Sequence, residues 1–341
     1  MSANTLPLAV SLGDPAGIGP ELITQCWANG NAAASPSFFV AGGQDVLRKA
    51  AEACGAECPI VPITAPEDTG EAFAAGLPVL PLDECDYTPG SPNDRGAALA
   101  LQSLIQATRF ALLGQSSAVV TAPVSKSQLA KVGFEYPGQT EYFAEVSGLG
   151  SDDAVMMLAG PSLRAVPITV HIALANVPNL LSSELIAKKA RIVANALARD
   201  FGIANPRLAV AGLNPHASEG GKFGDEEARI IEPAIAELRA EGISVTGPHS
   251  ADAMFAARAR ERFDAALCMY HDQALIPLKA LDFDEGVNIT LGLPIIRTSP
   301  DHGTAFDIAG QCIADPGAMM AAMQMASQCA ANRAAHGDHR A

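Results

Sequence analysis

Three histidines, each at or near the end of an apolar run, are the residues of this chain best suited to act together. His271 closes DAALCMYH, His216 follows RLAVAGLNP, and His171 lies in the β-branched run PITVHIAL. A lone histidine is more often a satisfied core or surface residue, but three at strand ends make one shared site plausible. Their gaps match no local ligand motif such as HExxH, so the fold must assemble any such site. Three neutral imidazoles would suit a divalent ion such as zinc and leave positions open for substrate oxygens. The stretch from Met269 to Gly310 adds Asp272 beside His271, the cations Lys279 and Arg297, and Asn288 between Val287 and Ile289. Arg297 offers a planar fork for an oxyanion and Lys279 a compact charge. The plainer reading of Arg297 is a surface salt bridge, although LPIIRTSP sets it at the end of an apolar run. Asp272 is placed to orient an imidazole or relay a proton. Asp252 begins a helical stretch and reads either as an N-cap or as a catalytic carboxylate. His336 and His339 read as solvated tail residues.

Short apolar runs alternate with helical periodicity, which predicts α/β architecture with a largely parallel sheet. The strand-like runs are LPLAVSL, SFFVAGG, SAVVTAP, AVMMLAG, AVPITVHIA, RLAVAGL, DAALCMYH and GVNITLGL. Helical patterns cover residues near 95–113, 182–201, 224–241 and 316–331. Stretches near 58–70 and 86–96 read as surface connections. A chain of 341 residues is long for one core, so two lobes are expected, with an interruption near 125–138. GDPAGIGPE follows a strand and opens a helix but is neither GxGxxG nor a P-loop, and reads as a tight structural turn or an active-site wall. Pro20 and Glu21 suit the first turn of that helix. A net charge of −15 with no basic run argues against nucleic acid as a partner. No apolar run is long enough to span a bilayer and no signal peptide is evident, so a cytoplasmic protein with no membrane partner is expected. The seven cysteines are scattered and are expected to be reduced.

GDPAGIGPE, VTAPVSK, GLNPHASEGG, MYHDQ, GVNITLGLP and RTSPDHGTAFDIAG together resemble the 4-hydroxythreonine-4-phosphate dehydrogenase family of pyridoxal-phosphate biosynthesis. The likeness runs in order from Leu8 to Asp315. It implies two α/β/α subdomains like those of isopropylmalate dehydrogenase, with an interdomain active-site cleft. Residues 1–128 with 305–341 would form the first subdomain, and residues 129–304 the second, carrying the metal ligands and the dimer interface. The implied activity is oxidation of 4-(phosphooxy)-L-threonine by NAD or NADP, with a divalent metal (zinc, magnesium or cobalt), followed by decarboxylation. The resemblance assigns His171, His216 and His271 to the metal, with His271 coming from the partner of a homodimer whose active site lies at the subunit interface. It assigns Gln139, Thr140, Lys279, Asn288 and Arg297 to the substrate, a small phosphorylated hydroxy-amino acid, and leaves Lys279, Asp272 and Asp252 as catalytic candidates.

One departure concerns Gln139, where the family pattern has histidine. Glutamine hydrogen-bonds but carries no charge. Either that histidine is only a binding group, or this chain takes another phosphorylated hydroxy acid. DHGTAFDIAGQCIADP also resembles the adenosine-binding loop of the isopropylmalate and isocitrate dehydrogenases, which implies His302, Gly303 and Asp307 as cofactor contacts. Two other readings remain: a paralogue oxidising a threonate or erythronate 4-phosphate, and a metal-dependent acyl or phosphoryl transferase.

Overall fold

The structure, a computed structural model, describes residues 6–30 and 36–337; His339 lies outside them. The strands of the N-terminal half are β1 (Leu8–Ser11), β2 (Phe38–Gly42), β3 (Ile60–Pro62), β4 (Leu77–Pro81) and β5 (Ala118–Thr121). Those that follow are β6 (Val155–Ala159), β7 (Arg164–Pro167), β8 (Arg207–Ala211), β9 (Ser244–His249), β10 (Ala265–Cys268), β11 (Val287–Leu291) and β12 (Arg297–Pro300).

The chain divides into two compact units, Met1–Phe143 with Pro294–Ala331, and Ala144–Leu293 with Asn332 onward. Segments 129–143 and 294–304, expected with the second unit, cluster with the first. The Lys126–Lys131 helix packs on the Asp94–Leu112 helix, and β12 pairs with β5, which ties both segments there.

In the first unit the lateral order is β3-β4-β2-β1-β5-β12, all parallel. LAVS, FFVAG and AVVT are buried throughout, as near-continuous apolar runs must be when helices cover both sheet faces. The Asp94–Leu112 helix starts where the Asn93 side chain accepts from the Gly96 amide. In the second unit the order is β11-β6-β7-β10-β8-β9. Here β7, β10, β8 and β9 run parallel, and β6 is antiparallel to both its neighbours. The α/β class with a largely parallel sheet is therefore the one observed.

Several local expectations change. β3 forms inside the stretch taken as a surface connection. β12 has the polar sequence RTSP yet is buried, with part of its polarity satisfied internally: the Thr298 hydroxyl donates to the Ala322 carbonyl at 2.9 Å. β7 stops at Pro167, so His171 lies beyond the strand. Cys54 and Cys312 are joined in a disulfide, against the expectation of seven thiols. Folding brings their Cα atoms to 5.3 Å across 258 residues of sequence, a proximity that cysteine spacing does not encode. GDPAGIGPE forms a buried, tightly packed turn. Gly13 adopts φ +76°, a Cβ on Gly17 would meet the Thr304 carbonyl at 2.8 Å, and the Ile18 amide donates to that carbonyl.

Candidate functional site

The register of three strands decides which residues share an edge. β10 pairs with β7 through Cys268 and Pro167, and with β8 through Leu267 and Val210. Their carboxyl ends lie side by side, and His171, His271 and His216 each follow within a few residues of one of them. Parallel α/β sheets bind ligands at this edge.

Backbone strain and buried polar clamps set the exits of these strands. His171 has φ 54°, and the run His216–Glu219 is left-handed throughout, starting at φ 53°. Side-chain-bearing residues keep such conformations only where the surroundings over-determine them. Beyond β7, the Thr169 hydroxyl donates to the Met269 carbonyl and Lys189 Nζ to the Ile168 carbonyl, each at 2.7 Å. Beyond β8, buried Glu227 accepts from the amides of Leu213 and Asn214 at 2.8 and 2.7 Å. Gln273 ties β10 to β8: its Oε1 accepts from the Met269 amide at 2.6 Å and its Nε2 donates to the Gly212 carbonyl at 2.7 Å. Neither Gln273 nor Glu227 is among the residues expected at the site. Gln273 lies inside MYHDQ, where a polar residue two positions after the histidine was the available signal, whereas nothing marked Glu227.

His271 opens the His271–Leu281 helix, and its Nδ1 lies 2.7 Å from Asp272 Oδ1. That contact assigns the proton to Nδ1 and leaves Nε2 for a metal. The His171 and His271 rings stand 5.7 Å apart between centroids, tilted by 41°. His216 packs instead beside Phe223, with ring centroids 6.4 Å apart. Among the described residues, the three imidazoles do not gather their nitrogens within 4.8 Å of one another. The fold thus puts three histidines on one edge and brings two of them together. Asp252 is not an N-cap, because Ser250 precedes its short helix. The Ser250 hydroxyl donates to the Asp252 carboxylate and, with His216 nearby, holds it below the usual carboxylate range. Lys279 is exposed on the same helix as His271. Asn288 projects a buried Oδ1 with no hydrogen-bond partner among the described residues.

Arg297 lies in the first unit and is 3% exposed, which rules out a surface salt bridge. One terminal nitrogen donates to Thr121 Oγ1 at 2.8 Å and to Gln139 Oε1 at 2.9 Å, and the guanidinium sits 5.3 Å from the Phe143 ring centre. Burial pushes its pKa down to about 9. Gln139 and Thr140, both half-buried, open the Gln139–Val146 helix, so Gln139 is a direct partner of Arg297. His302 and Gly303 are exposed and adjacent, and Asp307 is exposed nearby, all in the loop between β12 and the Gly317–Ala335 helix.

The family model of the pyridoxal phosphate biosynthetic protein PdxA matches residues 34–326. A 4-hydroxythreonine-4-phosphate dehydrogenase of Erythrobacter litoralis is 62% identical over 328 residues, covering 96% of this chain and 98% of the relative. One from Zymomonas mobilis is 51% identical, covering 97% of each. The crystal structure of 4-hydroxythreonine-4-phosphate dehydrogenase from Klebsiella pneumoniae is 38% identical and superposes with a TM-score of 0.86, covering 97% of this chain and 99% of that one. With most of its length matched by the family model and near-complete relatives well above 30% identity, the chain belongs to the PdxA family of dehydrogenases.

Proposed function

We propose that this enzyme oxidises the C3 hydroxyl of 4-(phosphooxy)-L-threonine with NAD or NADP. The product, 2-amino-3-oxo-4-(phosphooxy)butanoate, then loses carbon dioxide to give 3-amino-2-oxopropyl phosphate. The observation that carries this reading is the adjacency of three parallel strands ending toward His171, His271 and His216. Three imidazoles on one sheet edge, one with its Nδ1 held by a carboxylate, are donors of the type a divalent ion takes, and the family names on near-complete relatives support the choice of substrate. His171 and His216 would hold the ion from one chain and His271 from the partner of the dimer, as the family resemblance assigns them.

When bound, the ion would supply a Lewis acid that lowers the substrate hydroxyl's pKa, and the nicotinamide a hydride acceptor. The remaining work falls to this chain's side chains. Asp272 keeps His271 in one tautomer and orientation. Lys279, on the same helix, would carry the proton released from the hydroxyl, with Asp252 beside His216 as a second carboxylate able to relay it. Arg297 would hold the phosphate, because a buried guanidinium favours an anionic partner. Thr140 would add a hydroxyl donor, and Asn288 Oδ1 an acceptor for the substrate amine. Gln139 is engaged in aiming Arg297, which supports the view that its position needs a hydrogen-bonding group rather than a charge. His302, Gly303 and Asp307 would face the adenosine of the cofactor. The working form would be a cytoplasmic homodimer.

The test follows absorbance at 340 nm with NAD and NADP separately, after chelation and re-addition of zinc, magnesium or cobalt. Metal-dependent reduction with 4-(phosphooxy)-L-threonine, well above that with threonate or erythronate 4-phosphate, is the expected result. Preference for a sugar acid would make the chain a paralogue of different substrate. No cofactor reduction, with acyl or phosphoryl transfer instead, would overturn the dehydrogenase reading.

A further inference from the structure

The segment Asp301–Pro316 runs between β12 and the Gly317–Ala335 helix without helix or strand of its own. Sixteen residues without regular structure in a compact unit need anchors, and these can be named. At its start, the Thr304 carbonyl accepts from the Ile18 amide at 3.0 Å. In its middle, the Gly310 amide donates to buried Glu21. Two residues later Cys312, at φ 59°, is bonded to Cys54, which ends the Gln44–Ala53 helix. Ala305, at φ 43°, is the other left-handed residue of the segment that is not glycine. The disulfide is therefore the one covalent anchor of a loop otherwise held by a few hydrogen bonds. It closes at its weakest stretch, where Gln311 and Ile313 are exposed on either side of Cys312. Both sulfurs belong to half-buried residues, unlike the other five cysteines, which are buried thiols. The side chain of Glu21 approaches the pair as well, its oxygen and the two sulfurs lying within 4.8 Å of one another.

We propose that Cys54–Cys312 is a reversible thiol–disulfide exchange site whose state sets the order of the 301–316 loop, and with it the affinity for the nicotinamide cofactor. The last clause rests on the reading of His302, Gly303 and Asp307 as cofactor contacts; the exchange site itself does not. The reductant is a small or protein dithiol. Its thiolate attacks one sulfur, the Sγ–Sγ bond breaks, and the departing cysteine thiolate takes up a proton. The second thiol of the reductant then resolves the mixed disulfide and releases the other cysteine. Two electrons and two protons pass to the protein, and the reductant leaves as its own disulfide. In a reducing compartment, disulfides are characteristically of this transient kind. Once opened, the loop keeps the Glu21 and Ile18 hydrogen bonds but loses its tether beyond Gly310.

The full-length protein, oxidised and after incubation with dithiothreitol without denaturant, is alkylated and mapped by mass spectrometry, and amide hydrogen exchange is measured in both states. Two additional alkylated cysteines, Cys54 and Cys312, are expected, with exchange across 303–313 faster by about tenfold or more and little change in β1, β2 and β5. Cys54→Ser, which leaves the loop sequence intact, should exchange at the reduced rate under both conditions. A bond that resists native reduction, unchanged exchange after opening, or a Cys54→Ser protein that still responds to dithiothreitol would each overturn the proposal. KM for NAD or NADP is then compared between the oxidised and reduced enzyme. A several-fold rise on reduction with kcat held is expected. Faster loop exchange with an unchanged KM would remove the cofactor assignment of the loop and leave the exchange site standing.

Discussion

Replacing Arg297 by methionine separates a binding cation from a structural one. The side chain is 3% exposed and its pKa is pushed down to about 9, so keeping the guanidinium charged works against folding. Methionine is nearly as long and carries no charge, and replacing buried charged groups with apolar ones of similar volume is often neutral or stabilising by about 1–4 kcal/mol. Against that gain stand two acceptors left behind, Thr121 Oγ1 and Gln139 Oε1, each costing roughly 1 kcal/mol or somewhat more. The two effects nearly cancel, and the variant should stay within about 2 kcal/mol of the parent in denaturant unfolding. Binding behaves differently. A guanidinium fork gives a phosphate two charge-assisted hydrogen bonds at about 1.5–3 kcal/mol each, so about 3 kcal/mol or more is lost. That is a rise in Kd of at least roughly 100-fold. Titration calorimetry with 4-(phosphooxy)-L-threonine and with unphosphorylated 4-hydroxythreonine reads this directly: the first should weaken and the second should not. A variant destabilised by 4 kcal/mol or more with phosphate affinity intact would show that Arg297 is a structural group and refute the reasoning.

Gln273→Leu leaves the buried Met269 amide and Gly212 carbonyl without their partner; it should cost roughly 2–4 kcal/mol of stability and weaken metal binding measured by competition with a chromogenic chelator. Asp200 in the second unit is held below the usual carboxylate range: burial pushes it up, but hydrogen bonds from Arg333 and Arg199 outweigh that. Its folded pKa being the lower one, its stabilisation is full above about pH 4 and fades as pH falls through the folded value. Asp200→Asn should therefore cost about 3–5 kcal/mol at pH 7, with a gap to the parent that narrows in acid unfolding below about pH 4. Mixing His171→Ala with His271→Ala chains tests whether His271 serves the partner's site: mixed dimers should recover about half the activity, because one of their two sites then holds both intact histidines, whereas mixed dimers that stay inactive would place the ligands in one chain.

The features most legible in the sequence were those with a strong local cause. LAVS, FFVAG and AVVT declare buried strands by composition alone, and helical periodicity marks the stretches that form the Asp94–Leu112 and Ser183–Arg199 helices. RTSP was missed as a strand because its burial depends on partners far away, such as Ala322 for Thr298. The disulfide was hidden for the same reason, since nothing local to Cys54 speaks of Cys312. At the site, the histidines and Arg297 stood out because they interrupt apolar runs. The left-handed backbone at His171 and His216, and the clamps that Glu227 and Gln273 apply, are consequences of packing that residue identity does not announce. The pairing of Gln139 with Arg297 likewise joins helix to strand across 158 residues.

The most direct test of the histidine site is crystallographic: crystals grown with zinc, with anomalous difference density measured above and below the zinc edge. The account predicts a peak at the carboxyl ends of β7 and β8, about 2.0–2.1 Å from a nitrogen of His171 and of His216, with His271 from the partner of the dimer as the third ligand and His216→Ala weakening the peak. Zinc only elsewhere, or turnover undiminished in metal-free protein, would contradict it.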